Sequence, residues 1–111
     1  MGVVDPKQDE VWLIALDPTR GSEIQKTRPC VVVSPDEMNR YLRTIIIAPM
    51  TSTVRRYPTR VPIVHATKSG EIALDQLRAV DRSRLLKKLG STTQKTVEAI
   101  SDVLVEMFAR R

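Results

Sequence analysis

The stretch EVWLIALDPTRGSEIQKTRPCVVVS, residues 10–34, decides the expected fold, because two short apolar runs flank a long polar segment in it. The runs at residues 10–16 and 30–34 are rich in Val, Ile and Trp, which favours buried β-strands over helices. Asp17 and Pro18 end the first run, and the segment up to Pro29 predicts a loop because it is polar and holds two prolines and a glycine. Loops of this length in small domains often carry function.

The chain continues outward from this stretch as further short β-branched segments. These predict strands at residues 44–48, 59–64, 70–74 and 77–80. Between the second and third strands, Asp36 is placed to cap one helical turn. Residues 51–58 are polar and basic and predict a second loop, and Pro62 indicates that its strand lies at a sheet edge.

The C-terminal segment has a helical periodicity instead. Its apolar residues recur at 97, 100, 104 and 107, which predicts an amphipathic helix over residues 92–109. Ser91 and Gln94 fit a capping box at its start. The expected fold is therefore mainly β with a C-terminal α-helix, as a small antiparallel barrel or curled sheet. We expect one domain over residues 1–111, with a polar N-terminal tail at residues 1–9.

Composition excludes several classes of protein. No apolar run approaches the ~20 residues of a membrane-spanning helix, and the first ten residues lack the pattern of a signal peptide. A cytoplasmic protein without membrane association is therefore expected. Cys30 is the single cysteine and His65 the single histidine, so neither an intrachain disulfide nor a Cys/His zinc site is expected. We predict no metal and no other cofactor.

Basic residues are concentrated in one part of the sequence. The net charge is +5, and residues 38–70 contain six Lys or Arg and no acid, whereas solubilising surface charge normally mixes both signs. This distribution indicates a polyanionic partner, with an ordinary solvated surface as the alternative. Because aromatic residues make up only 4% of the chain, binding of nucleic acid would rest mainly on cations.

Several motifs in a fixed order carry a resemblance to a known family. They are VWLIALDPTRGSEIQKTRP at 11–29, CVVVS at 30–34, APMTS at 48–52, LDQLRAVD at 74–81 and the closing helix. On these motifs the chain resembles the MazF/PemK/Kid toxins from about residue 11 to residue 108. The resemblance implies an SH3-like β-barrel with a C-terminal helix, and a homodimer.

The function implied by this resemblance is that of a toxin in a type II toxin-antitoxin system. Such a toxin is a sequence-specific endoribonuclease that cleaves single-stranded RNA without a metal and so inhibits translation and growth. Attack by the 2′-OH leaves 2′,3′-cyclic phosphate and 5′-OH ends. The implied partners are the single-stranded RNA substrate and a cognate antitoxin with an acidic, disordered tail, both of which suit the positive charge of the chain.

The resemblance points to Arg28 and Thr51 as catalytic residues. Arg28 offers a fork of donors to the scissile phosphate and a charge that stabilises the phosphorane, and Thr51 can position the 2′-OH or a phosphate oxygen. The alternative for Arg28 is a surface arginine paired with Glu23. The alternative for Thr51 is a turn residue that satisfies its own backbone.

Two acidic residues complete the predicted catalytic set. Glu23 acts either as a base or, preferably, as a group that orients the catalytic arginine and holds the loop. Asp75 matches the position given acid/base work in Kid-like members, with a structural turn residue as the alternative. The Kid-type set is incomplete, because Ser22 replaces its histidine and Ala73 its arginine. Arg78 is the candidate substitute for that arginine.

The remaining predicted RNA contacts are polar or basic residues in or beside the two loops. They are Ser22, Ser52, Arg55, Arg56, Tyr57, Arg60 and Arg78. We interpret the arginines as phosphate contacts that position RNA rather than specify its sequence. The tyrosine is either a platform for base stacking or a core or rim residue. His65 is interpreted as a loop or strand-end histidine, and Cys30 as a buried small hydrophobe.

Two other classes of function compete with the ribonuclease. One is a non-enzymatic gyrase poison of the CcdB type, which acts through its terminal helix and does not need Arg28 or Thr51. The other is an SH3-like module that binds nucleic acid or protein. RNA cleavage that leaves 5′-OH ends distinguishes the ribonuclease from a binding module.

Overall fold

Strands dominate the computed structural model, which describes residues 5–16 and 20–111. The strands of this part are β1 (Glu10–Ala15), β2 (Thr27–Val32), β3 (Thr44–Thr51), β4 (Arg60–His65), β5 (Lys68–Ala73), β6 (Arg78–Asp81) and β7 (Leu85–Ser91). Its helices are α1 (Asp36–Tyr41) and α2 (Gln94–Phe108), with 3₁₀ turns at Leu74–Gln76 and Arg82–Arg84. The predicted strand end at Asp17 and Pro18, and residues 1–4 of the predicted tail, lie outside the described residues.

The strands form an antiparallel sheet in the order β4-β5-β3-β2-β1-β7. The central strand β3 pairs along one side with β2, and on the other side with β6 near its start and with β5 at its end. On the far side of β2, β1 pairs with β7, with Glu10 facing Ser91. Because β3 pairs with three other strands, β2, β5 and β6, the sheet curls into a half-barrel. The predicted mainly β fold with one C-terminal helix is confirmed, as is the edge position of β4.

The two faces of the curled sheet bury separate apolar clusters. One cluster contains Val31 and Met50, and it packs against Ile100, Val103 and Leu104 of α2. The other contains Cys30, Val32, Ile45 and Ile47 among others. Because the second half of β2, Cys30–Val32, is buried on both faces, its sequence is continuously apolar instead of alternating. Burial raises the pKa of the Cys30 thiol to about 12, which confirms this cysteine as a buried small hydrophobe.

Three local predictions need correction. The side chain of Thr93 caps α2 by accepting a hydrogen bond from the N–H of Thr96, so the predicted capping box at Ser91 and Gln94 is wrong. Ser91 instead ends β7, a strand that was not predicted. Asp36 lies inside the first turn of α1 without capping it, and its carboxylate accepts a hydrogen bond from the N–H of Gln8.

The second strand also begins earlier than expected. It starts at Thr27 rather than Cys30, so Arg28 lies on a strand and not in the preceding loop. A strand holds a side chain more firmly than a loop does, which favours a positioned role for this arginine. Within the described ranges, no helix is long and apolar enough to cross a membrane.

Candidate active site

Arg28 and Thr51 line one small cleft, where the ends of β2, β3, β4 and β5 come together. The cleft has a volume of about 230 Å³. The β2–β3 pairing joins Cys30 to Pro49, and continuing it by two residues brings Arg28 opposite Thr51. The polar residues that line the cleft are Arg28, Thr51, Ser52, His65, Lys68 and Ser69. The structure therefore brings the two principal predicted residues together with a histidine and a lysine that the sequence had not placed there.

Arg28 is half-buried, and its guanidinium has no carboxylate partner among the described residues. Its Nε donates a hydrogen bond to the carbonyl of Gln25 at 2.8 Å. Glu23 accepts a hydrogen bond from the N–H of Arg20 at 2.7 Å and does not contact Arg28. Glu23 therefore does not orient Arg28 in this structure. The positive charge of Arg28 remains available in the cleft.

Thr51 is held by a close approach between β3 and β5. Its Oγ1 accepts a hydrogen bond from the N–H of Thr53 at 3.1 Å, so the hydroxyl also shapes the turn that follows. A Cβ at Gly70 would clash with the Thr51 carbonyl oxygen, so only glycine lets β5 pass here. Gly70, the first residue of the strand predicted at 70–74 and an inner residue of β5, was the sequence signal for this approach.

A second pocket collects the other residues of the first loop. It has a volume of about 350 Å³ and is lined by Ser22, Glu23, Asp75 and Arg78 among others. The loop is held there because the N–H of Ile24 donates a hydrogen bond to Oε1 of Gln76 at 2.7 Å. The predicted catalytic set is therefore divided, with Glu23 and Asp75 lining a different pocket from the one that Arg28 and Thr51 line.

The arginine that pairs with Asp75 is Arg60, whereas the sequence had named Arg78 as the candidate substitute for the missing arginine of the Kid-type set. The Nε of Arg60 lies 2.7 Å from Asp75 Oδ1, and its Nη1 lies 3.3 Å from Glu71 Oε1. The Arg60 side chain is only 7% exposed, and its guanidinium lies over the ring of Tyr57 at 5.1 Å. In this environment the Arg60 guanidinium is paired with carboxylates. The predicted contact of Arg60 with an RNA phosphate would instead need the guanidinium to face solvent.

Glu71 fixes the basic loop between β3 and β4. Its carboxylate accepts hydrogen bonds from the backbone N–H groups of Arg55 and Arg56 at 2.9 and 3.0 Å. Glu71 is buried while both arginine side chains are exposed, so the loop backbone is held inward and its cations face outward. Sequence reasoning missed Glu71, although an acid inside the apolar segment GEIAL was a visible signal.

The hydrogen bonds and ion pairs of Glu71 and Asp75 keep both carboxylates ionised at neutral pH. Burial acts to raise their pKa values, but the hydrogen bonds outweigh it. The loop N–H groups and Arg60 hold the pKa of Glu71 below its ordinary 4.5. Arg60 and Thr59 hold the pKa of Asp75 below its ordinary 3.8. An ionised, paired Asp75 is poorly suited to donate a proton at neutral pH.

The lowered pKa of Glu71 predicts a pH-dependent contribution to folding. A carboxyl with a depressed pKa stabilises the fold above its unfolded-state pKa, and this stabilisation is lost as the pH falls through the folded-state value. We therefore expect the difference in free energy of unfolding between the wild type and Glu71→Gln to be constant above about pH 5 and to shrink below pH 4.5. Urea denaturation between pH 7 and pH 3 measures it.

Glu98→Gln provides the control for this experiment, because Glu98 is exposed on α2, accepts a hydrogen bond from Gln94 and forms no ion pair within the described residues. This variant should track the wild type at every pH. A Glu71→Gln deficit that persists unchanged at low pH would contradict an ionised carboxylate as the anchor of the loop.

The chain also matches a known protein family and its relatives. A family model described as PemK-like, MazF-like toxin of type II toxin-antitoxin system matches residues 7–108. The chain is 31% identical over 104 residues to Endoribonuclease MazF of Staphylococcus saprophyticus, covering 88% of this chain and 87% of that protein.

Solved structures show the same fold. The crystal structure of MazF from Deinococcus radiodurans superposes with a TM-score of 0.85 at 24% identity, covering 97% of this chain and all of that one. An endoribonuclease from a mycobacterial species, solved in complex with its cognate antitoxin, gives a TM-score of 0.80 at 21% identity, with 96% and 97% of the two chains covered. Both similarities are similarities of fold, namely of the curled sheet with its C-terminal helix.

Proposed function

Because the chain belongs to the PemK-like, MazF-like toxins of type II toxin-antitoxin systems, we propose that it cleaves single-stranded RNA in the cytoplasm at a short sequence and without a metal ion. The chain is an endoribonuclease of the MazF type. In the proposed reaction, the 2′-OH attacks the adjacent phosphorus, and the products carry 2′,3′-cyclic phosphate and 5′-OH ends. Loss of messenger RNA would then inhibit translation and growth.

The observation that carries the proposal is the shared cleft of Arg28 and Thr51. Arg28 has no carboxylate partner among the described residues, so its guanidinium can donate to the phosphorane oxygens, where negative charge develops. Thr51 lies across from it at the end of β3, where its hydroxyl can orient the nucleophile or a phosphate oxygen. Both roles need no metal.

The basic loop supplies the path for RNA in this proposal. Arg55 and Arg56 are exposed, while their backbone is fixed by Glu71. Arg56 also lines the groove that adjoins the cleft at His65 and Gly70. Cations of this kind bind phosphates without reading the sequence, so they give affinity and register. Tyr57 is half exposed under the Arg60 guanidinium and remains a candidate for base stacking.

The proposed partners are a cognate antitoxin and a second copy of the chain. The mycobacterial endoribonuclease with this fold was solved with its cognate antitoxin, and an acidic antitoxin tail would suit the same cations that bind RNA.

Support for a homodimer comes from α2, where Val105 and Phe108 are 71% and 68% exposed. Large apolar side chains at such exposure favour a contact with another surface.

The test is incubation of the purified protein with a long single-stranded RNA in excess EDTA, followed by primer extension to map the new 5′ ends. We expect discrete cuts that share a short motif and carry 5′-OH ends, because the proposed chemistry uses the 2′-OH and side chains alone. RNA that is retained at low salt but remains intact would contradict the ribonuclease and favour a binding module or a gyrase poison.

A further inference from the structure

The cleft that holds Arg28 and Thr51 lacks an obvious acceptor for the proton of the 2′-OH. Cleavage by the 2′-OH needs a base at this point. Arginine and lysine only donate hydrogen bonds when charged, and hydroxyl groups are weak bases. Among the side chains that line the cleft, His65 alone has a ring nitrogen that can accept a proton when the imidazole is neutral.

The fold brings His65 into the cleft from the far end of β4. It is the last residue of that strand and pairs across the β4–β5 hairpin with Lys68. The two-residue turn between them, Ala66 and Thr67, has positive φ angles of 49° and 68°, which is the geometry of a tight hairpin turn. The hairpin end therefore carries an imidazole and an ammonium group side by side.

The carboxylates that could act as the base in place of His65 have other contacts. Glu23 and Asp75 line the second pocket, and both oxygens of Asp75 contact Arg60. Both oxygens of Glu71 accept hydrogen bonds from the basic loop. In contrast, His65 is half exposed, and its ring has no hydrogen-bond partner within residues 5–16 and 20–111.

We propose that His65 is the general base of the RNA cleavage reaction, an inference that rests on the function proposed above. A neutral ring nitrogen of His65 takes the proton of the 2′-OH as the O2′–P bond forms. The P–O5′ bond breaks, its electron pair stays on O5′, and the Lys68 ammonium donates the proton that makes the 5′-OH. Solvent then removes the proton from His65 and returns one to Lys68, so the enzyme is restored.

Several charged side chains lie near His65. Arg28 and Lys68 share the cleft with it. The adjoining groove between β4 and α2 is also lined by Arg56, Glu71 and Lys95. The cations near the reaction centre suit the phosphorane, which carries the negative charge that the base helps to create.

The test compares single-turnover cleavage by the wild type and His65→Gln between about pH 5 and pH 9, with a short single-stranded RNA that carries a mapped cleavage site. For the wild type, the rate should rise with pH and then level off as the base becomes neutral. For His65→Gln, we expect the plateau to fall by about 10²-fold or more, and the rise to disappear. RNA affinity should stay within a few-fold, as measured by filter binding.

Chemical rescue separates a base from a structural residue. Free imidazole added to His65→Ala should restore part of the rate, whereas it should not affect Val64→Gln, a matched variant of the exposed neighbouring residue that should cleave like the wild type. Thermal unfolding of each variant checks that the hairpin has folded.

The outcomes distinguish this proposal from the one on which it rests. If the wild type does not cleave RNA, the proposed function fails. If the wild type cleaves and His65→Gln keeps the same pH dependence, or loses only RNA affinity, His65 is not the base while the ribonuclease assignment stands.

Discussion

Replacing Arg28 with alanine is expected to lower the rate of RNA cleavage by about 10²–10³-fold, the usual effect of removing a donor that stabilises transition-state charge. Its Nε makes one hydrogen bond, to the carbonyl of Gln25, and it has no ion-pair partner among the described residues. The loss should therefore fall on the reaction rather than on folding. Single-turnover rates at saturating protein measure it directly.

Two further variants make the result specific. Arg28→Lys keeps the charge but loses the planar fork, so a partial recovery would separate the Coulombic part from bidentate contact with the phosphate. Arg43→Ala removes a guanidinium whose side chain is 78% exposed and should cleave at the wild-type rate. Cleavage by Arg28→Ala within a few-fold of wild type would remove Arg28 from the reaction.

The largest effect on stability is expected for Arg60→Met. This change leaves the Glu71 carboxylate without its charged partner at a site where both side chains are almost fully buried, 7% and 4% exposed. Breaking a buried pair by removing one member costs about 3 kcal/mol or more, and Asp75 loses its partner as well. Urea denaturation at pH 7 should show this decrease in the free energy of unfolding.

The matched control for this prediction is Arg43→Met. Arg43 also forms an ion pair, with Asp81 at 3.3 Å, but the two side chains are 78% and 41% exposed. Exposed ion pairs contribute little to stability, because solvent screens their charges. Equal losses in the two variants would show that burial of the Arg60 pair does not determine its contribution.

The fold was predicted well where burial leaves a clear pattern in the sequence. The apolar runs of β1, β2 and β3 are continuous because both faces of the sheet are covered. Strand β7 was missed because Lys87 and Lys88 interrupt its apolar pattern, and its pairing with β1 contains register shifts. A strand with bulges does not show the alternation by which strands are recognised.

The site was predicted only in part, for a related reason. Arg28 and Thr51 were predicted from motifs that follow the family's order along the chain, and the structure places both in one cleft. The position of His65 depends on the β4–β5 register, and the pairing of Arg60 with Asp75 and Glu71 depends on which strands become neighbours. Tertiary packing determines such long-range placement, and the spacing of residues along the chain does not reveal it.

The pairing of β1 with β7 also determines when the sheet can close during synthesis. The ribosome releases β1, β2 and β3 first, but one edge of β1 stays unpaired until Ser91 has emerged. The close approach at Gly70 and the hairpin with His65 also come after Thr51 in the chain. Contacts so distant in sequence form slowly. The nascent chain therefore carries Arg28 well before β4 and β5 complete the cleft that this arginine lines.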